Sequence, residues 1–131
     1  MTHESVSRPT IVIDLRRNRF RINAKTLRSL GNPASILLLV NPASRTVAIE
    51  CGDHSGLCAH YLLQTQVADR RHLELYSKPL VKSLLGLSDC WQDNHVYRLY
   101  GENIPDKRMI CFDITKSAEI HNGKRSNYER A

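Results

Sequence analysis

Arg19-Phe20-Arg21-Ile22-Asn23-Ala24-Lys25-Thr26-Leu27-Arg28-Ser29-Leu30-Gly31 decides the fold, because its apolar spacing changes midway from that of a strand to that of a helix. Phe20 and Ile22 share one face of an extended segment, with Arg19 and Arg21 on the other. Asn23 has the side chain that caps a helix N-terminus, Leu27 and Leu30 lie one turn apart, and Gly31 supplies the stop. Upstream, Ile11–Leu15 reads as a strand joined to this one by the turn Arg16-Arg17-Asn18. Downstream, Asn32-Pro33 turns the chain. Ile36–Val40 and Thr46–Cys51 then form a hairpin across Asn41-Pro42-Ala43-Ser44. The uninterrupted run from Ile36 to Val40 fits a strand covered on both faces.

The phrase recurs. Leu73 and Leu75 stand where Phe20 and Ile22 stood, with His72 and Glu74 outward. Ser77 caps a second helix, Pro79 falls in its first turn, and Leu80, Leu84 and Leu85 form its apolar stripe before Gly86. A second hairpin is expected from His95–Tyr100 and Arg108–Ile114. The expected organisation is a first unit over 10–51, a connector over 52–71 in which Leu57–Val67 is a helical turn or two or an extra strand, a second and divergent unit over 72–115, and flexible ends over 1–9 and 116–131. The order strand, helix, hairpin, repeated, does not build a parallel sheet. It predicts a mainly β fold with short helices (α+β), a closed or interleaved barrel made by two related halves.

Charge points to the partner. The 131 residues carry 19 Lys and Arg against 13 Asp and Glu, a formal +6, which favours an anionic partner. The excess is clustered: Arg16, Arg17, Arg19 and Arg21 fall within six positions, Lys25 and Arg28 follow, and Asp14 is the sole nearby acid. Such a patch on a rigid hairpin suits a phosphate backbone, and arginine forks also reach guanine edges. In the second unit only His72, Lys78 and Lys82 stand in for this cluster. No apolar run approaches a membrane span, and Met1-Thr2-His3-Glu4-Ser5 does not open a signal peptide, so a cytoplasmic protein with reduced cysteines is expected.

The segment from Arg19 to Gly31 resembles the AbrB/MazE/MraZ superfamily of swapped-hairpin (SpoVT-AbrB type) β-barrels. The likeness lies in an Arg followed by apolar residues, a short Arg-bearing helix and a closing Leu-Gly. Asp14 sits one position earlier than that family's Asp, Asn18 replaces its turn glycine, and Asn23 replaces the proline before its helix. With two units in one chain the layout is most similar to the MraZ type. The resemblance implies double-stranded DNA binding, transcription regulation and a homodimer or higher homo-oligomer, with Arg16, Arg17, Arg19, Arg21, Lys25 and Arg28 as the DNA-binding set. The alternative it implies is a protein-interaction module such as a MazE-like antitoxin, against which the basic C-terminal stretch argues.

Other chemistries are weaker. Cys51, His54, Cys58 and His60 are zinc-ligand types, but their spacing matches no paired Cys-x-x-Cys form, and no metal is expected. Cys90 and His95 lack a neighbouring oxyanion site, no phosphate-binding glycine loop is present, and neither an enzyme nor a cofactor is expected. Trp91, Tyr97, Tyr100 and Phe112 read as core or dimer interface rather than base-stacking platforms.

Overall fold

The computed structural model describes residues 8–51, 61–66 and 72–120. Eight strands and two helices follow one another along it: β1 (Thr10–Asp14), β2 (Arg19–Asn23), α1 (Ala24–Ser29), β3 (Ser35–Asn41), β4 (Thr46–Cys51), β5 (Tyr61–Gln66), β6 (His72–Tyr76), α2 (Lys78–Leu87), β7 (Val96–Ile104) and β8 (Met109–Ile120). The fold is mainly β, a single antiparallel sheet curled into a half-barrel. Its strand order is β5-β3-β4-β8-β7-β1-β2-β6.

This order relates the two halves of the chain. β1 pairs with β7 and β3 with β5, so each half's first strand joins the other half's third. β2 pairs with β6 and β4 with β8, joining equivalent strands. Exchanging the first four strands for the last four returns every pairing but one: β1 pairs with β2, whereas β5 and β6 form the two edges among the described residues.

Turn chemistry explains three of the connections. The β1–β2, β3–β4 and β7–β8 links are each four residues long. Their last residues, Asn18, Arg45 and Arg108, take the left-handed conformation with φ of 53°, 56° and 51°. Asp14 and Asn41 hold the first two of these turns with one carboxylate or amide oxygen, which accepts backbone N–H groups from Arg16 and Arg17 and from Ala43 and Ser44 respectively. In α1, Asn23 caps by accepting from the Thr26 N–H. Gly31, at φ +82°, lets the Gly31 and Asn32 N–H groups close on the Arg28 and Leu27 carbonyls, a Schellman ending. Ser77 caps α2 through Leu80.

The inward positions make the core: Phe20, Ile22, Leu38, Ile49, Leu99 and Phe112 are fully buried. α2 covers part of it with Leu80, Val81 and Leu84. α1 docks through buried Thr26, whose hydroxyl accepts from the Thr10 N–H at 3.0 Å and donates to the Thr10 carbonyl at 2.7 Å. Gly101 lies at a register shift in β7, where a Cβ would stand 2.6 Å from both Ile110 and Phe112 side-chain atoms.

Of the two alternatives for the 52–71 connector the strand is found: it is β5, whose backbone pairs along β3 from Ser35 to Val40. Two expected boundaries are corrected. The end expected to fray from 116 instead continues β8 to Ile120, because Ser117–Ile120 pairs with Val96–Leu99 in the first half of β7. Within the expected N-terminal end, Pro9 is buried and its carbonyl accepts from the Gly101 N–H at 2.8 Å.

Candidate nucleic-acid interface

The β1–β2 turn is built around one acid. Asp14 points to the outer side of the sheet, yet it is only 1% exposed, because guanidinium groups close over it. Arg16 grips both its oxygens, Nε to Oδ1 and Nη2 to Oδ2, each at 3.1 Å. Arg19 Nη2 reaches Oδ2 at 3.1 Å, and Arg17 Nη1 lies at 3.7 Å. Burial pushes the Asp14 carboxyl up. The Arg16 hydrogen bonds and the Arg16 and Arg19 charges outweigh it, leaving the group below its ordinary value. The same fork raises the Arg16 pKa.

A second acid arrives from the other half of the chain. Glu74 on β6 stands directly across from Arg21 on β2. Its Oε2 accepts from Arg21 at 3.1 Å and from Arg19 at 3.4 Å. Four guanidiniums against two carboxylates leave this cluster with a formal +2. The turn is also clamped by backbone: the Leu15 N–H donates to the His95 carbonyl, and the Ser77 N–H to the Asn18 carbonyl. The second contact brings exposed Lys78, the next residue after Ser77, beside the turn.

The expected set therefore divides. Arg16, Arg17, Arg19 and Arg21 are brought together, but they are not equally available. The Arg19 side chain is 13% exposed and tied to both acids, whereas that of Arg17 is 58% exposed with only the long contact to Asp14. Arg16 and Arg19 hold the turn together through Asp14, and Arg17 projects furthest into solvent. Lys25 and Arg28 are exposed on α1, at the far end of β2 from the turn, about 15 Å away at the rise of an extended strand. Neither has a carboxylate within ion-pair distance among the described residues.

Alternation could have found three further outward residues: Arg98, flanked by buried Tyr97 and Leu99, Tyr76 beyond buried Leu75, and Tyr100. Tyr100 is outside the core, whereas Trp91, Tyr97 and Phe112 are within it, Trp91 stacking on Tyr97 at 4.8 Å. Of the Cys/His set, buried Cys51 donates to the Leu30 carbonyl, while His54, Cys58 and His60 lie outside the described residues. No group of three metal-ligating side chains occurs among the described residues. The His95 ring is engaged by Glu119 rather than by Cys90.

Comparison with protein-family models, curated proteins and solved structures finds no match. Among the described residues no helix is long and apolar enough to cross a membrane.

Proposed function

We propose that this protein binds double-stranded DNA with sequence preference through the β1–β2 turn, as a cytoplasmic regulator of transcription that works as a homodimer or larger homo-oligomer. The observation that carries the reading is Asp14, a nearly buried carboxylate at a hairpin tip that organises Arg16, Arg17 and Arg19. Arginines held in place before binding lose less side-chain entropy when a phosphate arrives. Arg17 is then the principal contact, with outward donors of Arg16 and Arg21 beside it and Lys78 at the flank. Arg19 is a positioning residue. Lys25 and Arg28, one strand length away, contact a neighbouring stretch of backbone.

The finer architecture in this proposal is the AbrB-like swapped-hairpin barrel in tandem form. The crossed pairing of β1 with β7 and β3 with β5 supports it.

A titration of labelled duplex DNA with wild type, Arg17→Ala and Arg17→Ala/Arg19→Ala tests the reading. Loss of a charge-assisted phosphate contact, about 1.5–3 kcal/mol, weakens binding roughly tenfold or more for Arg17→Ala. Equal, weak binding by all three proteins rejects the assigned site.

A further inference from the structure

The outer face of strands β7, β1, β2 and β6 carries more than the turn. Cross-strand register sets its rows. Arg98, Val12, Arg21 and Glu74 lie side by side across the four strands, and Val96, Asp14, Arg19 and Tyr76 form the next row. Tyr100 and Thr10 lie on the other side of the first, with the Asn23 amide donating to the Thr10 hydroxyl. Scattered exposed apolar residues are ordinary. Here, however, the only exposed large hydrophobics among the described residues are Tyr76 at 62% and Tyr100 at 39%, and both stand on this face. Between them are Arg21 and Arg98. The Arg8 guanidinium lies 5.9 Å from the Tyr100 ring centroid, which brings a further positive charge to that corner.

We propose that this face binds single-stranded nucleic acid, with Tyr76 and Tyr100 stacking unpaired bases and Arg21, Arg98 and Arg8 holding the phosphates between and beside them. Aromatic rings interleaved with arginines are what a single strand requires, because every base has a stacking face and every linkage a charge. The rings are three strands and four residues apart, roughly 20 Å on a flat sheet. That span fits the about 4–16 nucleotides covered by small β-barrel modules that bind single strands. Glu74 neutralises part of Arg21 and leaves Arg98 as the principal cation of the central row.

This inference goes beyond the duplex reading and fails separately from it. The test is fluorescence anisotropy of the full chain with 12-nucleotide single-stranded DNA and RNA and with a duplex, using wild type, Tyr76→Ala/Tyr100→Ala, Tyr76→Phe/Tyr100→Phe and Arg17→Ala. Removal of a stacking ring costs roughly 5- to 150-fold. The double Ala variant therefore loses single-strand binding at least tenfold, the double Phe variant retains it, and duplex binding responds to Arg17→Ala instead. The DNA and RNA arms show which sugar is preferred. A single strand carrying 2-aminopurine adds a readout on unaltered protein, where stacking quenches its fluorescence. Single-strand binding unchanged in the double Ala variant, no quenching, or duplex binding alone overturns the inference. Duplex binding insensitive to Arg17→Ala, alongside tyrosine-dependent single-strand binding, overturns only the duplex reading.

Discussion

Arg16 closes one edge of its guanidinium on Asp14, with Nε and Nη2 each 3.1 Å from a different carboxylate oxygen. The same carboxylate accepts the backbone N–H of Arg16 at 2.9 Å. One acid therefore sets the turn's backbone and the direction of its side chains together. That dual role makes the region sensitive to pH. The folded-state pKa of Asp14 is depressed, so its stabilisation is present above the ordinary aspartate range and is lost as pH falls through the folded value. Asp14→Asn lacks this contribution and is less stable than wild type by about 1–3 kcal/mol near neutral pH. Urea unfolding followed by Trp91 emission between about pH 6 and pH 3 shows the two proteins converging at the acid end.

Thr26→Val tests how α1 is fastened. The two side chains are close in shape, but valine leaves the Thr10 N–H and carbonyl without the hydroxyl that serves both. A loss of about 1–3 kcal/mol is expected, measured by the same unfolding transition. No change would mean that α1 contributes little to holding β1.

Gly101→Ala tests the bulge in β7. The added methyl group meets Ile110 and Phe112 at 2.6 Å, and both belong to the packed core. Overpacking of this kind costs about 1–3 kcal/mol. At roughly 2–4 °C per kcal/mol, or somewhat more for a chain of this size, the melting temperature falls by about 3–12 °C. Circular dichroism melting reads it directly.

Arg45→Asn tests the left-handed turn positions. Arg45 holds φ 56° in the β3–β4 turn, where asparagine is better tolerated. Its ion pair with Asp89 is exposed on both sides and contributes little. The substitution therefore leaves stability unchanged or raises it by up to about 1 kcal/mol in urea unfolding. A clear destabilisation would show that the Asp89 contact outweighs the backbone strain.

Local signals in the chain account for the elements that are set locally. Asn23 and Ser77 cap helices, Gly31 ends one, and Thr46–Cys51 is a strand, because each follows from a few adjacent side chains. What depends on distant partners was not legible. The sequence of Leu57–Val67 leaves helix and strand open, and pairing with β3 decides for a strand at Tyr61–Gln66. Alternation turns Glu74 outward, but only the β2–β6 register puts it against Arg21, 53 positions earlier. Asp14 counted as one acid among arginines, and nothing in a charge count reveals that those arginines bury it. Asp69-Arg70-Arg71 follows the β5 sequence and precedes β6 much as Asp14, the last residue of β1, and Arg16-Arg17 precede β2. The second half therefore does not lack paired arginines, although these three residues lie outside the described ones.

The salt dependence of duplex binding tests the central claim most directly. If each half of a dimer neutralises three or four phosphates, the logarithm of the binding constant falls against the logarithm of salt concentration with a slope of roughly −5 to −7. Arg17→Ala makes that slope shallower by about 1 per protomer, while the duplex's sequence preference changes little. A wild-type slope near zero, or a steep slope that Arg17→Ala leaves unchanged, contradicts the assignment of the β1–β2 turn as the DNA-binding site.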